Sequence, residues 1–247
     1  MTDIDALAAA IREAETTVAF TGAGVSTASG IPDFRSEDGI WTRYDPKQFH
    51  VSRFRADPGG FWCDRAELVA EAFDGVAPNP AHEALADLER AGQVQGLITQ
   101  NVDGLHQQAG SDPIEIHGNG DRTVCTDCRE TFDAAPAFET VRAGESPPTC
   151  RDCGGVLKPD VTLFGESLPQ DALFQARRLA READVFLAIG SSLTVEPAAS
   201  LPREASRRGA TLAIVNLDET DASSEAAFDL RADVTDVLPA LRDRLVG

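Results

Sequence analysis

The sequence predicts an α/β protein built on a doubly wound parallel sheet, with a smaller second domain inserted into it. Three observations carry that expectation. Short runs that are apolar throughout alternate with helical patterns, as strands buried on both faces of a parallel sheet require. The four clearest of these runs end in glycine or short polar residues. Two stretches break the alternation, and one of them holds paired cysteines.

Taken in order, "MTDIDALAAAIREAE" reads as an acidic amphipathic helix without the basic start of an export signal, which points to a cytoplasmic protein. "TTVAFTGAG" is a strand entering a glycine turn, "VQGLITQNVD" a second strand, "ADVFLAIGSS" a third and "TLAIVNLD" a fourth. "PAHEALADLERAG" carries Ala84, Leu85 and Leu88 at helical spacing and stops at Gly92; "DALFQARRLAREA" is a further helix. Residues 36–79 are helical and loop-like, and residues 118–159 hold the cysteine pairs. These two stretches are assigned to the small domain; residues 1–35, 80–117 and 160–247 form the large one.

The strand ends are Gly22-Ala23-Gly24, Gln100-Asn101-Val102-Asp103, Gly190-Ser191-Ser192 and Asn216-Leu217-Asp218. In open α/β sheets ligands bind beyond the carboxyl ends of the strands, so four polar ends on one edge outline a nucleotide site. Ordinary turn chemistry accounts for any one of them taken alone. The first turn begins as a G-x-G dinucleotide signature, but Thr27 stands where the third glycine belongs, and Ile31-Pro32-Asp33-Phe34-Arg35 follows.

The 247 residues are 42% hydrophobic and 26% charged, a globular composition with no apolar run long enough to span a membrane. The net charge of −19, from 22 basic and 41 acidic residues, repels nucleic acid and anionic membrane. Lys47 and Lys158 are the only lysines. This balance fits both adaptation to salt and an acidic surface for a basic partner.

Cys125-x-x-Cys128 and Cys150-x-x-Cys153 read as a four-thiolate zinc site. Four protein ligands close the tetrahedron, so the metal is structural. Cys63 is expected as a buried thiol. Of four histidines, His82 and His106 read as structural and His50 carries no signal. His117, in "IEIHGNGD" at the entry to the cysteine module, is a candidate general base, and a structural role fits its local sequence as well.

"GAGVSTASGIPDFRS", "QNVDGLHQQAG", "IHGN", the two C-x-x-C pairs, "KPDVTLFGE", "IGSSLTVEPAASLP" and "IVNLDETD" occur in one order over most of the chain. Together they resemble the sirtuin family, in its prokaryotic or archaeal form. The resemblance implies a Rossmann-like NAD domain and a small domain of helical insertion and zinc ribbon. It implies NAD-dependent deacetylation of protein lysine: nicotinamide leaves and the acyl group passes to ADP-ribose.

On that resemblance Ala23, Gly24, Phe34 and Arg35 lie on the cofactor loop, and Gln100, Asn101 and Asp103 line the nicotinamide and ribose pocket. Ser191, Ser192, Asn216, Leu217 and Val234 hold the adenosine half. Gly22, Ser26, Trp41, Val102, Gly190 and Asp218 complete the cofactor set. His117 is the general base, with Asn101 also catalytic. Val161, Phe164, Gly165 and Glu166 form the strand-like segment that pairs with the substrate.

Members that prefer succinyl- or malonyl-lysine carry a Tyr-x-x-Arg pair, whereas this chain has Arg65 and Leu68 there. Its absence points to acetyl as the acyl group, with Arg65 leaving acidic acyl groups open. The same residues also admit mono-ADP-ribosyl transfer, and a non-enzymatic NAD or ADP-ribose sensor. The expected partners are acetylated proteins, including basic chromatin-type ones, with no nucleic acid or membrane, and the chain itself is expected as a monomer.

Overall fold

The computed structural model describes residues 2–34 and 39–247. Arg35, assigned above to the cofactor loop, lies outside the described residues. Nine strands are present among them: β1 Thr17–Thr21, β2 Gly96–Thr99, β3 Ile114–Glu115, β4 Gly118–Cys125, β5 Thr131–Asp133, β6 Leu157–Val161, β7 Val185–Ile189, β8 Thr211–Asn216 and β9 Phe228–Arg231. Six form a parallel sheet in the order β3-β2-β1-β7-β8-β9. Strand order therefore reverses between β1 and β7, which opens a crevice beyond their carboxyl ends.

Every residue of β1 and β7 is buried, because helices cover both faces. On one face Leu7, Ile11, Leu85, Leu88, Leu238 and Leu241 join the helices Asp3–Glu13, Pro80–Arg90 and Val234–Val246 to the sheet. On the other, Ala176, Ala180, Leu201 and Ala205 bring in Gln170–Glu182 and Leu201–Arg207. Among the described residues no helix is long and apolar enough to cross a membrane.

The three remaining strands form an antiparallel sheet, β5-β4-β6. Its core is shared with the helical stretch. Phe49, Phe54, Phe61 and Trp62 pack with Phe138, Leu157 and Leu163, and the Trp62 indole N–H donates to the Leu157 carbonyl at 2.8 Å. The stretches that break the strand–helix alternation thus fold on each other. Cys63, on the helix Pro58–Ala72, is exposed rather than the buried thiol expected, because the helix turns its neighbours Phe61 and Trp62 inward. Arg122 on β4 bridges Glu115 on β3, at 2.5 Å, and Asp160 on β6, at 3.0 Å, which joins the two sheets close to His117.

The turns after β1 and β7 touch backbone to backbone. The Gly24 amide donates to the Gly190 carbonyl at 2.8 Å. A Cβ on Gly22 or Gly24 would stand 2.8 or 2.9 Å from that carbonyl oxygen, and a Cβ on Gly190, whose φ is +58°, would strike the Val25 amide. Gly190→Ala adds left-handed strain to a clash that no side chain can relieve. It should lower unfolding stability by about 2 kcal/mol or more, read as a reduced urea midpoint; an unchanged midpoint would contradict this packing.

Candidate active site

The four cysteine Sγ atoms lie within 4.8 Å of one another. Cys125 is 3.4 Å from Cys153, and Cys128 is 3.8 Å from Cys150. A zinc ion with Zn–S bonds of about 2.3 Å needs sulfurs about 3.8 Å apart, so the set is positioned to bind zinc. Each knuckle turns through a left-handed residue just past its second cysteine: Gly154, at φ +78°, and Arg129, at φ 66°. The second knuckle makes this turn with a permissive glycine; the first makes it with a side chain in place.

At the carboxyl ends of β1 and β2 a buried polar network forms. The Asn101 amide nitrogen donates to Ser26 Oγ at 3.1 Å, and Ser26 donates to Asp103 Oδ2 at 2.7 Å. His82 Nδ1 accepts from the Asn79 amide, so its proton sits on Nε2, 3.4 Å from Ser26 Oγ. Thr21 donates to Thr99 Oγ1 at 2.9 Å, and Thr99 Oγ1 also accepts from the Asn101 amide at 3.1 Å. With its proton committed, Thr21 accepts from His106 Nε2 at 2.9 Å, which leaves His106 Nδ1 buried without a partner. The links of Ser26 to His82, Asn101 and Asp103, and of Thr21 to Thr99 and His106, join residues far apart in sequence, and Thr21, Thr99, His82 and His106 are the members that sequence reading did not place here.

His117 Nδ1 is 2.9 Å from the Gln100 carbonyl oxygen. A carbonyl only accepts, so Nδ1 carries the proton and Nε2 is a bare base. Burial lowers the imidazole pKa below its ordinary value, opposed in part by that hydrogen bond. Gln100 also donates from its side chain to Ser191 Oγ at 2.8 Å, which ties the end of β2 to the turn after β7. The structure therefore brings Gly22, Gly24, Ser26, Gln100, Asn101, Asp103, His117, Gly190 and Ser191 together, with Ala23 and Val102 between them in the chain.

The outer residues are looser. Ser192 meets Thr194 at 3.0 Å, and Asn216 closes onto the Asp218 carbonyl at 2.8 Å. Leu217 is exposed, whereas Val234 belongs to the core at a helix start. Phe34 stacks on Trp41, and Trp41 packs on Phe164, with centroids 5.5 and 5.4 Å apart.

The segment from Val161 to Glu166 is braced from within. Lys158 Nζ pairs with Glu166 at 2.9 Å and donates to the Val161 carbonyl at 2.7 Å, while the Glu166 carboxylate accepts the Leu163 amide at 2.9 Å. The amides of Thr162, Phe164 and Glu166 are used by His117, Phe49 and Leu163. A peptide lying along this segment therefore meets the Gly165 amide and the remaining carbonyls, a narrower edge than a free strand offers.

Residues 22–197 match the profile of the Sir2 family. The NAD-dependent protein deacetylase of Haloarcula marismortui is 54% identical over 246 residues, covering 98% of this chain and 94% of that protein. NAD-dependent protein deacetylase 1 of Pyrobaculum aerophilum is 50% identical, covering 99% and 96%. A solved structure described as Sir2, p53 peptide and NAD+ superposes with a TM-score of 0.87 at 36% identity, covering 98% of each chain.

Two outcomes follow from this geometry. Burial holds the pKa of His82 down to about 4 and that of His106 to about 3, from an ordinary 6.5. The unfolded chain binds these protons first, so stability is full above pH 6.5 and falls as pH drops toward 4 and then 3. Urea midpoints measured across that window should decline, and the decline should shrink in His106→Gln. Cys150→Ser should abolish bound zinc by elemental analysis and lower the melting temperature; zinc retained at the wild-type level would contradict the four-sulfur assignment.

Proposed function

The chain belongs to the Sir2 family, and from that premise we propose that it is an NAD-dependent protein-lysine deacetylase. The observation that carries this reading is His117. Its Nδ1 proton is held by the carbonyl of Gln100, the residue before Asn101, and Nε2 is left unprotonated. The names of its relatives, and a solved relative with peptide and NAD+, support the same reading.

NAD supplies a ribose that takes the acyl group and a nicotinamide that leaves. The hydroxyls and amides at the strand ends fit such a ligand. Gln100, Asn101, Val102 and Asp103 line the nicotinamide ribose, with Asn101 orienting the reacting groups. Gly22, Ala23, Gly24, Ser26 and Gly190 shape the phosphate turn, and Ser191, Ser192, Asn216, Leu217, Asp218 and Val234 take the adenosine side. Phe34 and Trp41 cover the reacting carbon from water.

His117 removes the proton from the ribose hydroxyl that attacks the acyl carbon. Val161, Phe164, Gly165 and Glu166 hold the acyl-lysine, Glu166 by fixing the segment from inside. The two stretches 36–79 and 118–159 act as one small domain closing on the large one. The reduced thiols that a zinc site needs support a cytoplasmic setting for the reaction. The acidic surface suits concentrated salt and basic, lysine-rich tails of the chromatin type.

Incubated with NAD and an acetyl-lysine peptide, the chain should release nicotinamide only when both are present. Release independent of the peptide would overturn the reading. His117→Ala should lower kcat by about 100-fold or more. The acidic limb of the wild-type rate should lie below pH 6.5, since burial depresses the His117 pKa.

A further inference from the structure

His50 has no part in the reaction above, yet the fold gives it a fixed place beside the Val161–Glu166 segment. It is the N-cap of the short helix Val51–Ala56. Its Nδ1 accepts from the Ser52 amide at 3.1 Å, so the ring proton is on Nε2. The usual caps are Asp, Asn, Ser and Thr, whose short side chains are spent on the cap. A histidine has a second nitrogen left over. Among the described residues nothing accepts from that Nε2–H, and the residue is only half-buried.

Backbone pairing aims the ring. The Val51 amide donates to the Phe164 carbonyl at 2.9 Å, and the Phe164 amide donates to the Phe49 carbonyl at 3.2 Å. His50 and Phe164 thus form a parallel bridge along one edge of the segment. The imidazole then lies over Gly165. A Cβ on Gly165 would stand 2.4 Å from Nε2 and 2.7 Å from Cε1. Gly165 also holds φ at +81°, and the ring fills the place where its side chain would be. An extended peptide that bonds to the Gly165 amide lays its side chains alternately on two faces. On one of those faces the side chain it meets across from it is that of His50, standing in for residue 165.

We propose that His50 is a specificity-determining residue. Its Nε2–H selects an acceptor side chain, a carboxylate or an amide, at one substrate position flanking the acyl-lysine, and disfavours a cation there. The proposal rests on the deacetylase reading above. It also refines the partner: the acidic surface draws a basic chain as a whole, while His50 asks for an acceptor at one place in it.

The test uses acetyl-lysine peptides with NAD and the full chain. Each position from two before the lysine to two after it carries Ala, Glu, Gln or Lys in turn. Wild type should favour Glu and Gln over Lys at one position by about fivefold in kcat/KM, mainly through KM. His50→Asp keeps an acceptor for the cap, removes the Nε2 donor and brings a carboxylate toward the site. It should reverse the preference at that position and leave the others as they were. His50→Asn keeps the cap with a shorter side chain and should flatten the preference. Both retain strong caps, so their melting temperatures should hold at the wild-type value. A role confined to the cap would change all peptides uniformly. That result, or a wild type indifferent at every position, would overturn the proposal and leave deacetylation standing. No turnover of any peptide would overturn the deacetylase reading and this proposal with it.

Discussion

The contact between the turns after β1 and β7 is the constraint from which the site follows. Gly22 and Gly24 approach the Gly190 carbonyl so closely that only hydrogen atoms fit between them. That approach brings the ends of two strands together where the strand order reverses. Ser191 then reaches Gln100, and Gln100 in turn fixes His117 through its own carbonyl. The glycine signature is usually read as room for a pyrophosphate. Here the Gly24 amide is already spent on Gly190, so the glycines first serve the protein's own backbone.

Legibility in the sequence tracks how local each determinant is. The strands β1, β2, β7 and β8 are visible because burial on both faces makes them apolar throughout. β3 has two residues and β9 is half exposed, so neither leaves a pattern, and Pro239 interrupts the reading of the helix Val234–Val246. The cysteine pairs are legible because a knuckle is a four-residue event. The Ser26–His82 and Thr21–His106 contacts join residues far apart in sequence, and no spacing announces them. Glu166 is legible as a member of its segment but not as its internal brace, which depends on Lys158 folding back.

The same distinction separates His117 from His82 and His106. All three are held neutral by burial. His82 and His106 spend ring nitrogens on a network that orients Asn101 and Asp103, so their neutrality is a condition of folding. His117 spends only Nδ1, and what remains is a base. Composition treats these three residues alike; the second nitrogen of each ring decides its part.

Lys158 has a further consequence. A protein that works on acylated lysine carries two lysines of its own. One of them, Lys158, has its amine turned inward onto Glu166 and the Val161 carbonyl. Only Lys47 stands exposed. Such a surface acquires almost no stray acyl marks from reactive metabolites and offers its neighbours in solution almost none to remove. The enzyme is nearly invisible to its own chemistry, and its turnover is kept for other proteins.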